Sequence, residues 1–136
     1  MEYVAQVYQK YAVFEGRARR KEYWSFMAFS FSVIFALQFM LGLAGDPDEM
    51  SPLHLTTEAI LAIFALATVV PSLAVRVRRL HDINQTGYWA LIAILPIVGE
   101  LLLIVFALIP GTRGGNRFGE DPKVIGDDPD VAQVFT

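Results

Sequence analysis

At 136 residues, with 54% hydrophobic and only 18% charged residues, the chain is about one domain long and too apolar for a water-soluble globule of that size. It has no cysteine, which excludes disulfides, zinc-thiolate sites and thiol nucleophiles. A net charge of -3 provides no general attraction to nucleic acid, so the distribution of charge matters more than its sum.

Between Met1 and Glu22 the residues Val4, Val7, Tyr8, Tyr11 and Phe14 recur at three- and four-residue steps, which predicts an amphipathic helix. Lys10, Arg17, Arg19, Arg20 and Lys21 supply cations beside it, and Gly16 separates it from the basic cluster. Such a helix either lies in the membrane interface, the placement adopted here, or packs on the rest of the protein. No cleavable signal peptide is expected, because mixed residues precede an apolar run too long for an h-region.

From Tyr23 to about Ala44 no charge occurs, a stretch long enough to cross a hydrocarbon core of about 30 Å. Tyr23 and Trp24 open it with rings suited to the headgroup level. Ala28, Ser32 and Ala36 form a strip of small residues that would let another helix approach. A loop over Gly45 to Glu58 follows, acidic and without Lys or Arg, in which His54 is expected to be solvated. The second span covers about 57–75, with Pro71 expected to bend it and Thr68 and Ser72 placed to bond across a helix interface. It is expected to end at Arg76, where a short cationic loop runs to Gly87.

Five of the eleven Lys and Arg precede the first span and Arg76, Arg78 and Arg79 follow the second. The positive-inside rule places the N-terminus and the Arg76 loop in the cytoplasm. The third apolar region, about 88–110, opens with Tyr88 and Trp89 and holds Pro96, Gly99 and Glu100 near its middle. A carboxylate at the bilayer centre costs about 2.5–3.5 kcal/mol on insertion scales, so Glu100 should face a polar partner, a helix interface or water. The region is read as one kinked span, with a re-entrant hairpin turning at Pro96 to Gly99 as the alternative. The fold class is thus an all-α integral membrane protein of three transmembrane helices in one membrane domain over 1–122. Residues 123–136 form a polar tail expected to be disordered.

Three patches in a fixed order carry a family resemblance. They are Phe14-Glu15-Gly16-Arg17-Ala18-Arg19-Arg20-Lys21-Glu22-Tyr23-Trp24, Arg78-Arg79-Leu80-His81-Asp82 with Gly87-Tyr88-Trp89, and Gly115-Asn116-Arg117-Phe118-Gly119-Glu120-Asp121-Pro122. Together they resemble the bacterial inner-membrane proteins grouped as "domain of unknown function 805", over roughly residues 10 to 122. The resemblance implies a small multi-pass protein of the bacterial inner membrane and carries over no catalytic residue. Tyr88 stands where a tryptophan or another aromatic is usual, and Glu100 where an apolar residue is expected.

The cations before the first span and after the second should converge at one headgroup level. Arg17, Arg19, Arg20, Arg76, Arg78 and Arg79, with His81 and Asp82, are therefore the candidate site for anionic lipid headgroups or a partner protein. Adjacent helical residues diverge by about 100°, so His81 and Asp82 form no direct dyad, and Asp82 is expected to pair with Arg78 or Arg79 or to cap a turn that Asn84 and Gly87 help to form. Asn116, Arg117 and Asp121 are the candidate residues of the tail motif. No serine elbow, metal-ligand cluster or paired carboxylate supports an enzyme, and no cofactor or nucleic-acid partner is expected. A homo-oligomer or a membrane-protein partner is expected instead. The rival reading is a small transporter or channel subunit using Glu100 at membrane depth.

Overall fold

In the computed structural model, residues 2–43 and 51–123 are described. The acidic stretch 46–49 and the tail 124–136 lie outside them. The uncharged run after Lys21 and Glu22 contains neither proline nor aspartate, and it forms one helix, α2, Arg20–Leu43, preceded by a shorter α1, Glu2–Gln9. Ser51 caps α3, Pro52–Asp82: its hydroxyl accepts from the His54 backbone N–H at 3.2 Å, and Pro52 occupies the first turn, where no N–H is needed. These two helices are long and apolar enough to cross a membrane.

Several expectations require correction. The helix α3 does not end at Arg76. It continues through Arg76-Val77-Arg78-Arg79-Leu80-His81-Asp82, because arginine and leucine are good helix formers and the charges are paired, Arg76 and Arg78 with carboxylates of other helices and Arg79 with Asp82 one turn on. The cationic loop therefore shrinks to residues 83–86, with Asn84 at φ 61 turning the chain. His54 is buried on α3, its Nε2 3.2 Å from the Glu58 carboxylate, rather than solvated in a loop. Thr68 does not reach across an interface: its hydroxyl donates to the Phe64 and Ala65 carbonyls of its own helix at 2.9 and 3.0 Å.

The amphipathic face of α1 packs against α2. Val7 is fully buried, and Tyr8 meets Phe26 and Phe29 edge-on at 5.7 and 6.5 Å between centroids. Val7, Ala18, Tyr23, Phe26, Met27, Val75 and Ala107 make one core cluster. Farther along, α2 and α3 expose Phe31, Phe35, Phe39, Ile63 and Leu66, as lipid-facing helices do, and Ala28, Ser32 and Ala36 remain exposed with them.

The kinked single helix expected over 88–110 does not form. Gly87–Ile94 is a 3-10 helix, and α4 is Val98–Leu108. Pro96 drives the preceding Leu95 to an extended ψ of 108°, and Ile97 turns the chain at φ 65. The two arms then fold back on each other. Trp89 lies 5.6 Å from Phe106, Ala90 shares a core cluster with Leu103 and Leu80, and Gly99 sits so close to the Ile92 carbonyl that a Cβ there would overlap it. Eleven residues of α4 rise only about 16 Å, too little to cross a hydrocarbon core. The consequence is positional: α4 delivers Gly111 and the segment after it to the end of α3.

Candidate functional face

A helix turns about 100° per residue, so the charged residues of α3 radiate to different neighbours. Arg78 points to α2 and donates from Nη1 to Glu22 Oε1 at 2.6 Å. Arg76 reaches the first turn of α4 and donates to Glu100 Oε1 at 2.7 Å. Arg79 pairs with Asp82 one turn on and donates to the carbonyls of Ala107, at 3.3 Å, and Ile109. Arg17, just before α2, donates from Nε to Asp82 Oδ1 at 3.0 Å, from Nη1 to the Gly114 carbonyl at 2.7 Å and from Nη2 to that of Thr112 at 2.5 Å. Asp82 thus lies between two guanidinium groups, and Arg17, Arg78, Arg79, Glu22 and Asp82 are all buried.

In lipid, apolar burial between helices contributes little, because acyl chains are as apolar as leucine. Charge pairing and close approach then decide how these elements meet, and removing one partner of a buried pair costs about 3–5 kcal/mol. Arg78 illustrates the load on the network: its Nε and Nη2 are buried with no hydrogen-bond partner among the described residues.

The segment after α4 is stitched to the same end. Thr112 donates its backbone N–H to the Asp82 carbonyl at 2.8 Å, and Asn116 Nδ2 donates to the His81 carbonyl at 2.9 Å. Asn116 and Gly119 exchange backbone hydrogen bonds of 2.9 and 3.0 Å around a tight turn, which aims Phe118 at His81. The two rings stack at 3.9 Å and 4°, and the Arg117 guanidinium lies 4.7 Å from the Phe118 centroid while donating to the Asn84 carbonyl at 3.0 Å. The Nδ1–H of His81 donates to the Gly16 carbonyl at 3.1 Å, so His81 and Asp82 serve different partners. Asp121 accepts from the backbone N–H groups of Lys123 and Gly114 at 3.0 and 3.1 Å. The Lys123 bond, ahead of the Gly114 bond and the charges of Arg17 and Lys123, holds its carboxyl below the usual range.

Arg17, Arg76, Arg78, Arg79, His81 and Asp82 therefore meet at one end of the helices, joined by Asn116, Arg117 and Asp121. Most of these side chains bond within the chain, and outward-facing charge comes from Lys10, Arg20, Lys21, Arg113, Arg117 and Lys123. Arg19 donates from Nε to the Pro122 carbonyl at 2.6 Å, and Arg20 to that of Leu108 at 2.6 Å. No group of three His, Asp or Glu suited to a metal occurs among the described residues. Sequence reasoning passed over Glu22, the partner of Arg78. Its signal was available: a carboxylate at the head of an apolar span needs a cation nearby.

The family model described as "Protein of unknown function (DUF805)" matches residues 11–120. The chain belongs to this family. It is 42% identical over 126 residues to "Inner membrane protein YhaI" of Escherichia coli (strain K12), covering 90% of this chain and 97% of that one. Against "Inner membrane protein YhaH" of the same organism the identity is 39% over 124 residues, covering 91% and 98%. "Uncharacterized protein YiiR" is 30% identical over 136 residues, covering 81% and 86%. No solved structure matches the chain. With DUF805 membership, two relatives named as inner membrane proteins and two helices of membrane length, the chain is a transmembrane protein of a bacterial inner membrane.

Proposed function

We propose that this DUF805 protein is a non-enzymatic component of the inner membrane, with α2 and α3 crossing it. In this reading the 3-10 helix and α4 form a re-entrant hairpin, and the charged end, facing the cytoplasm, docks anionic lipid headgroups or a partner protein. The observation that carries the reading is the placement of the cations. The arginines from both sides of α2 and α3 gather at one end, where the buried ones brace the backbone and Lys10, Lys21, Arg113, Arg117 and Lys123 face outward. Positive residues favour the cytoplasmic side, and each near an anionic surface is worth about 1 kcal/mol.

Two measurements test it. A compartment-sensitive reporter fused after Thr136 should report the cytoplasm, and a periplasmic signal would sink the two-crossing arrangement. Changing Lys10, Lys21, Arg113, Arg117 and Lys123 together to glutamine should reduce the phosphatidylglycerol and the proteins that co-purify. Unchanged yields of both would remove the docking role.

A transporter or channel role for Glu100 is the second reading, favoured by the half-exposed carboxylate of its pair with Arg76. The pairing itself equally serves to anchor α4 on α3. Proton or ion flux into liposomes that survives Glu100→Gln would rule out that carboxylate as a coupling group.

A further inference from the structure

Two cavities open beside the N-terminal end of α2, and their charges differ. One, of about 410 Å³, is lined by Glu2, Glu22 and Glu120 as well as Lys10, Arg17 and Arg19, three acids against three bases. The other, of about 290 Å³, is lined by Arg19, Arg20, Lys21 and Lys123, and its one carboxylate is Asp82. That carboxylate is already held by Arg17 and Arg79, so it offsets none of Arg20, Lys21 and Lys123. Gly111 completes the wall, and a side chain there would overlap the Asp82 carboxylate.

We infer that this second cavity is a binding site for a phosphate group, carried by an anionic lipid headgroup or free in solution; the inference rests on the docking role proposed above and names its site. The guanidinium group of Arg20 is steadied by the Leu108 carbonyl, so a planar donor stands in place before any ligand arrives. The ammonium groups of Lys21 and Lys123 have no ion-pair partner among the described residues. They are mobile point charges suited to an oxyanion whose orientation is not fixed in advance. Depth points to the headgroup layer: exposed Trp24 lies one turn beyond Arg20 on the same side of α2, and indole rings favour that level. The volume admits a phosphate with a short polar stub, and lies at the lower edge of the roughly 300–1,000 Å³ of pockets that enclose larger organic ligands.

The test uses the full chain in maltoside micelles, with native mass spectrometry of retained phosphatidylglycerol against phosphatidylcholine, and calorimetric titration with inorganic phosphate. Wild type should retain phosphatidylglycerol preferentially. Lys21→Gln with Lys123→Gln should weaken that retention about thirtyfold, two cations' worth near an anionic headgroup. Gln6→Ala, in the neutral cavity, should leave it within about twofold, and Lys21→Arg with Lys123→Arg should restore it. Loss of phosphatidylglycerol alone identifies a lipid-borne phosphate. A calorimetric signal with inorganic phosphate that the glutamine pair abolishes identifies a free one. If the glutamine pair, still folded by circular dichroism, binds both probes as wild type does, the cavity is not the site, while the docking face stands. If wild type neither prefers phosphatidylglycerol nor binds phosphate, the cavity inference falls; unchanged co-purification of lipid and proteins in the five-residue variant would separately remove the docking role.

Discussion

Arg17 and Asp82, 65 residues apart in the chain, meet at 3.0 Å in a buried ion pair that ties the segment before α2 to the end of α3. Asp82 also holds Arg79, and Arg17 also holds the carbonyls of Thr112 and Gly114. Replacing Asp82 by asparagine should leave two guanidinium groups buried without their counter-charge, a loss of about 3–5 kcal/mol. Thermal unfolding in micelles would register it, and limited proteolysis should cut after α4 sooner than in wild type. An unchanged melting profile would show the pair to be dispensable.

The Glu22–Arg78 pair permits a cleaner separation of charge from fold. Glu22→Leu or Arg78→Leu alone should destabilise by about 3–5 kcal/mol, because each leaves one buried charge. The double change should recover most of that loss, since a buried pair exchanged for apolar groups is often neutral. A double variant as unstable as the sum of the singles would mean that the pair acts through something other than mutual neutralisation.

Two glycines mark places where backbone approach leaves no room. Gly99→Ala would drive a methyl group into the Ile92 carbonyl, and Gly111→Ala would drive one into the Asp82 carboxylate. Each should cost on the order of 1–3 kcal/mol, the range for overpacking, read as a lowered melting temperature. A Gly99→Ala variant with wild-type stability would argue against the folded-back arrangement of the 3-10 helix and α4.

Asp121 gives the turn after α4 a defined pH dependence. Its carboxyl is held below its ordinary 3.8 by the Lys123 and Gly114 N–H groups, so the ionised form stabilises the turn at every pH above that value. The contribution fades as the pH falls through the depressed value. Amide exchange at Gly114 and Lys123 should therefore accelerate only in strong acid, and Asp121→Asn should accelerate it at neutral pH and flatten the acid dependence.

The two long helices were legible because a long uncharged apolar stretch marks a helix of membrane length. The extension of α3 through Arg76 to Asp82 was not. A run of arginines after an apolar stretch reads as an exit from the membrane unless the acids that neutralise it are known, and Glu22 and Glu100 lie 56 and 24 residues away. Pro96 and Gly99 announced an interruption, yet both a kink and a hairpin satisfy those residues. What distinguishes the two is the approach of Gly99 to Ile92 and of Gly111 to Asp82, which no local pattern encodes. The tail motif stood out as a patch, but its work, an asparagine on the His81 carbonyl and a phenylalanine against the imidazole, depends on contacts across 35 residues or more.

The order in which these partners leave the ribosome carries a consequence for assembly. Arg17 is made early, Asp82 much later, and the carbonyls of Thr112 and Gly114 later still. Until the segment after α4 is made, the Arg17 fork therefore lacks two of its final acceptors. A chain stopped before Gly111 would leave Arg17 bonded to Asp82 but without the Thr112 and Gly114 carbonyls, a buried cation with its bonds half made.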